Sequence, residues 1–414
     1  MRFLKKIRLF LMVSLVVTQV TKVSPTFALV PPGSGVTSSG RALYFQTNNE
    51  ANSVVSVKIN ENGTLSVGNV VYTNGTGATE ISAKTKMSAL PDGLSSQGSV
   101  AVVDHSLFVV NSGDNTVSLF NIDEENPTNI TLLGSPVQVP GDFPVSVAVS
   151  SLNGLVCVLT SGMKSGVSCA PYAPYVGIGK MDFLRTFDLG QSNPPVGPLN
   201  TGSQVLFSAD ESELLVTVKG DPSLNKTGYV ATFTVSGPLL SGKSRVSASA
   251  VHSSPNGTVA MFGFQQIPGS HNYFVADAGF GAAIISIDEE TEAADILHKQ
   301  VISDQQATCW VSISSASGSA FVSDPLVNHI VEMSLTDASI ISVINTTSFN
   351  DASRFIDLAA AGNNVYALSP GAEEGTGAQV AVLSVVDSLN KSISQMLSVG
   401  SWAGSSSQGL AVFP

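Results

Sequence analysis

Arg354 stands in the stretch "SRFIDLAA", at the entry to an apolar run, and is one of only four arginines after residue 28, with Arg41, Arg185 and Arg245. A guanidinium taken out of water needs a carboxylate, supplied by the protein or by a bound molecule. Two of the five histidines, His252 and His329, are placed to approach the same end of the strands described below. Imidazole exchanges protons near neutral pH. Arg354 as a carboxylate clamp, with His252 or His329 as proton carrier, is therefore the candidate catalytic set, suited to acid–base chemistry on a small carboxylated molecule. Gln97, Trp310, Gln408 and Asp277 are the candidate ligand-binding side chains. Each also has a role without a ligand: the glutamines can satisfy buried backbone groups between strands, Trp310 can be a core aromatic, and Asp277 in "VADAGFG" can be a turn former. No H-x-H or H-x-x-x-H pair, G-x-S-x-G elbow or phosphate-binding glycine loop occurs. Neither a metal nor any other cofactor is expected.

These residues must be positioned by strands. A strand–turn–strand unit recurs seven times: 42–60, 106–123, 155–170, 213–235, 272–288, 319–335 and 364–385. Each alternates β-branched or aromatic residues with small polar ones on both sides of a Gly/Asn/Asp turn, the mark of a hairpin. Short, nearly unbroken apolar runs accompany them: "GSVAVV", "VSVAVSS", "SQVLFSA", "TVAMFGF", "CWVSISS", "RFIDLAA" and "GLAVFP". Unbroken apolarity implies burial on both faces, as an innermost strand requires. A more ragged fourth strand follows each hairpin. Four strands repeated seven times, with no helical period longer than two turns, predict an all-β, seven-bladed β-propeller over residues 29–414.

"SSQG" occurs twice, at 95–98 and again at 406–409. The first hairpin has no apolar strand before it, and the last apolar strand has no hairpin after it. The ring is thus expected to close with the C-terminal strand completing the first blade. Residues entering the inner strands then surround a central funnel, among them Gln97, Gln204, His252, Trp310, Arg354 and Gln408. Two longer insertions, 73–95 and 190–202, are expected to reach that face and roof it.

The N-terminal stretch combines basic Arg2, Lys5, Lys6 and Arg8 with an apolar run, Leu9 to Val20, and small Thr26 and Ala28. That order predicts a secretory signal peptide over 1–28. The apolar run is too short to span a bilayer comfortably, and no membrane span is expected. Five of the 19 basic residues lie in 1–28, so the remainder carries 14 basic against 31 acidic side chains. Such a balance excludes nucleic acid as a natural partner. Seven N-x-S/T sequons, at Asn62, Asn74, Asn129, Asn225, Asn256, Asn345 and Asn390, suit a secreted, extracellular or cell-wall glycoprotein. Of the three cysteines, Cys157 and Cys169 lie on opposite strands of the third hairpin and are expected to pair. Cys309 begins an inner strand and is expected to be a buried thiol.

The stretches "SSQGSVAVVDHSLFVVNSGDNTVSLFNID", "FPVSVAVSS", "NPPVGPLNTGSQVLFSAD" and "LLVTVKGDP" resemble fungal secreted proteins of the 3-carboxymuconate cyclase-like group, within the lactonase-type seven-bladed propellers. The resemblance is clearest over 90–235. It implies ring closure or opening of a carboxylated lactone or muconate without metal. The enzyme branch has a histidine near the inner strand of an early blade, where "SVAVSSLNG" here has none, so no family catalytic residue is carried over. A cycloisomerase or lactonase-like enzyme and a non-catalytic extracellular propeller, binding a ligand or a host surface, are the two expectations.

Overall fold

In the computed structural model, residues 40–237, 244–346, 354–371, 377–386 and 391–414 are described. The expected signal peptide, 1–28, and the sequon at Asn390 lie outside the described residues.

The chain folds into seven antiparallel sheets arranged as a β-propeller, four of them four-stranded and three five-stranded because two short strands share the outermost position, with almost no helix among the described residues. The innermost strands are Gln408–Phe413 for blade one and Val100–Val103, Pro144–Ser150, Gly202–Phe207, Met261–Gln266, Trp310–Ser314 and Ile356–Ala361 for blades two to seven. Every one coincides with an apolar run picked out in the sequence. Their side chains fill the spaces between adjacent sheets, as the unbroken burial of Trp310–Ser314 illustrates. Outermost strands such as Leu65–Tyr72 alternate toward solvent.

Blade one is built from both ends of the chain. Ala42–Gln46 pairs on one side with Ser53–Ile59 and on the other with Gln408–Phe413, in the register Ala42↔Phe413 and Gln46↔Gln408. The expected closure is observed. It covers the axis-facing edge of Ala42–Gln46 with an innermost strand, as in the other blades. Among the described residues no helix is long and apolar enough to cross a membrane.

Cys157 and Cys169 sit directly opposite each other in blade three, with a Cα–Cα distance of 4.1 Å, and form a disulfide. Cys309 is a buried free thiol.

The two long insertions do meet on the face where the inner strands begin. Ile81–Ser82 pairs in parallel with Val196–Gly197. Asn48 of blade one anchors this roof at Ala78, donating 2.7 Å to its carbonyl and accepting 3.1 Å from its N–H. Asp114 of blade two accepts from the Thr76 N–H at 3.0 Å.

Candidate functional site

The two "SSQG" copies organise the axis of the propeller. Ser95 joins three ionisable groups: its N–H donates to Asp92 (3.0 Å), its hydroxyl to Glu80, and its carbonyl accepts from Lys219 Nζ (2.6 Å). Lys219 also donates to the Gly202 carbonyl and the Ser203 hydroxyl, and lies 4.6 Å from the Phe262 ring centroid. Three acceptors match the three N–H bonds of an ammonium. Glu80 and Lys219 are both almost completely buried. Loss of hydration pushes the Glu80 carboxyl up to about 8 and Asp92 to about 7, and pulls Lys219 down to about 8.

The next residues close the central hole. The Ser96 carbonyl accepts from Trp310 Nε1 of blade six at 3.2 Å. The Gln97 side chain crosses from blade two to the Val311 backbone of blade six, donating to its carbonyl (2.8 Å) and accepting from its N–H (3.1 Å). This crossing depends on a glycine in blade five: a Cβ at Gly263 would meet Gln97 Oε1 at 1.8 Å. In the second copy, Gln408 Nε2 donates to the Pro91 carbonyl at 3.1 Å, tying the roof to blade one.

Beyond this plug an axial channel of about 500 Å³ runs along the inner strands to the opposite face, where Ser208, Ala209 and Glu211 stand at its mouth. At its closed end is Asp357. This residue adopts φ +59° at the bulge between Ile356 and Leu358 of blade seven. Gly98 (φ +78°) and Gly409 (φ +74°) take the same left-handed conformation where the inner strands of blades two and one begin. An Asp there is uncommon but tolerated, because its carboxylate can bond locally. Asp357 Oδ1 accepts from the Leu358 N–H (2.9 Å) and from Gln97 Nε2 (3.2 Å). Its Oδ2 is buried without a hydrogen-bond partner. Burial raises this carboxyl to about 7, outweighing the backbone amides beside it. Asp357 escaped sequence reasoning, although an acid inside the apolar run "RFIDLAA" was a usable signal.

The residues singled out from the sequence fall in several places. Gln97 lines the channel and forms its plug. Trp310 is 1% exposed and packs edge-on against Phe262 at 5.0 Å, a core aromatic. Asp277 is fully buried, and its carboxylate accepts from the N–H groups of Val259, Ala260 and Gly279, clamping the entry to its own blade. Arg354 stands half-buried at the entry to blade seven, on the roofed side of Asp357.

His329 begins the third strand of blade six and is buried, with Nδ1 3.6 Å from Asp304 Oδ2. His252 requires a correction. It lies on the outer strand Val251–Ser253 of blade four, exposed, stacked on Tyr229 at 4.7 Å, and not at the funnel. The chain there completes an outer strand before turning inward, so the residues ahead of "TVAMFGF" belong to the rim. Arg354, His252 and His329 occupy three different blades, and among the described residues no hydrogen bond or ion pair joins them. The roof and the Gln97 plug close the face on which a funnel was expected, and the channel opens on the other.

The sequon residues Asn62, Asn74, Asn129, Asn225, Asn256 and Asn345 are all exposed.

No protein-family model matches the chain, and no curated protein matches it in sequence. Solved structures do. A periplasmic gluconolactonase from Pseudomonas aeruginosa superposes with a TM-score of 0.63 at 12% identity, over 90% of this chain and 99% of that one. A protein from Lactobacillus plantarum gives 0.60 at 14% identity, over 91% and 100%. A candidate 6-phosphogluconolactonase from Bacteroides uniformis gives 0.59 at 12%, over 89% and 99%. At these identities the likeness is one of fold: the structural neighbours of this chain include lactonase-type seven-bladed propellers.

Proposed function

We propose that this chain is a secreted lactonase-type enzyme that interconverts a small lactone and its ring-opened hydroxy acid. One observation carries the reading: Asp357 holds a carboxyl poised near neutrality, with one oxygen unpaired, at the closed end of a channel open to solvent. A perturbed acid in a concave site is the usual form of a proton-transfer group. In ring opening, a water oxygen attacks the lactone carbonyl while Asp357 takes its proton. The ring C–O bond then breaks, and the departing oxygen takes that proton back. The products are one hydroxy acid per lactone and water consumed. The signal-like N-terminus, the disulfide and the exposed sequons support an extracellular location.

The test is turnover by the purified protein across a panel of lactones and muconates, with Asp357→Asn beside it. The reading expects turnover that Asp357→Asn abolishes while the fold is retained. No turnover by the wild type on any member would overturn it. Arg354→Ala, on the roofed side, reports on the carboxylate clamp expected from the sequence: a loss of turnover would assign Arg354 that role.

A further inference from the structure

Among the described residues, the only ionisable side chains lining the axial channel are Asp357 at its closed end and Glu211 at its mouth. Both are acids, and among the described residues no lysine, arginine or histidine lines the channel to offset them. Between them stand two amides held in a fixed sense. Gln204 Oε1 accepts from the Phe264 N–H at 2.7 Å, and Gln265 Oε1 accepts from the Ile313 N–H at 2.8 Å. Their oxygens being committed to backbone, their Nε2 groups are left as donors, and neither has a hydrogen-bond partner among the described residues. The channel thus offers hydrogen-bond donors to a carbonyl oxygen and repels a carboxylate.

We infer that this channel is a binding site for an uncharged, carbonyl-bearing ring that enters from the face opposite the roof, and that it discriminates against the ring-opened anion. As a substrate assignment this rests on the lactonase reading; as a binding site it does not. Gln204 and Gln265 donate to the ring carbonyl, and to the charge that develops on its oxygen when water adds. Glu211 and the ionised Asp357 disfavour the product carboxylate, which leaves by the mouth it entered. The volume of about 500 Å³ is ample for one bicyclic ring with its waters.

The probes are dihydrocoumarin and its ring-opened acid, 3-(2-hydroxyphenyl)propionate. Binding of each to the full secreted protein is followed by ligand-observed NMR at pH 6 and pH 8, alongside turnover. The lactone is expected to bind, and the acid at least about tenfold more weakly. Gln265→Glu keeps the acceptor for the Ile313 N–H but replaces the donor with an anion, and should weaken lactone binding about tenfold with an unchanged melting temperature. Glu211→Gln should narrow the gap between lactone and acid. Lactone binding that is lost in Arg354→Ala but kept in Gln265→Glu would overturn the channel assignment, as would equal binding of lactone and acid. Binding without turnover would leave the channel standing and sink the enzymatic reading for this substrate. Turnover insensitive to Gln265→Glu would do the reverse.

Discussion

Gln97 Nε2 lies 3.2 Å from Asp357 Oδ1, across an axis that separates residues 260 positions apart in the chain. The same amide group grips the backbone of Val311, so one side chain from blade two ties together blades six and seven. It also fixes the carboxyl on which the proposed chemistry turns.

Gly263 is the residue that lets Gln97 pass. With alanine there, the added methyl would fall 1.8 Å from Gln97 Oε1 and 3.0 Å from the Cys309 carbonyl. Gly263→Ala should cost about 1–3 kcal/mol in urea denaturation, the usual penalty for overpacking. In Gly263→Ala combined with Gln97→Ala the two effects should be clearly sub-additive. Full additivity would mean that the crossing does not govern this site.

Stability should fall as pH rises from about 4 to about 8. Burial raises Glu80 to about 8, and Asp92 and Asp357 to about 7. Between the ordinary carboxylate range and those values the unfolded chain sheds protons that the folded chain keeps, so each unit of pH favours unfolding. Lys219, lowered to about 8, acts only above that window and with the opposite sign. The melting temperature should drop by at least about 3 °C between pH 5 and pH 8. Glu80→Gln should flatten the slope while retaining an acceptor for the Ser95 hydroxyl. A flat profile in the wild type would contradict the buried cluster.

The Cys157–Cys169 bridge closes a short loop inside blade three. Replacing both by serine should cost about 3 kcal/mol by the chain-entropy estimate. Thiol labelling should find no reactive cysteine in the native protein and one, Cys309, after unfolding without reductant. Two or more labelled thiols per unfolded chain would be inconsistent with the bridge.

Deleting residues 408–414 removes the innermost strand of blade one and exposes the edge of Ala42–Gln46. The truncated chain should fail to be secreted or should aggregate. Normal yield with an unchanged melting temperature would contradict ring closure through the C-terminus.

The blades were legible because their signal is local. Runs such as "CWVSISS" and "VSVAVSS" are apolar on both faces only if buried between sheets, and each hairpin carries its own turn residues. Closure was legible because "SSQG" appears twice in matching contexts. What chain order hides is what lies across the ring. Nothing near Gln97 in sequence announces Val311, and nothing in "TNGTGATEIS" announces that Ile81 pairs with Val196 or that Glu80 is buried with Lys219 beneath the roof. His252 was misplaced because one chain segment serves in turn as outer strand and connection, and the two have similar composition. Asp357 sits where blades one and two have Gly409 and Gly98, a comparison visible only once the inner strands are in register.

The most direct measurement is the pH–rate profile of dihydrocoumarin hydrolysis by wild type and Asp357→Asn. With Asp357 acting as the base in its ionised form, the wild-type rate should rise with pH through an apparent pKa near 7. Asp357→Asn should lose at least about 100-fold in kcat, with its melting temperature preserved or raised. An Asp357→Asn protein that retains wild-type rates, or a wild type with no enzymatic rate above background at any pH, would contradict the account.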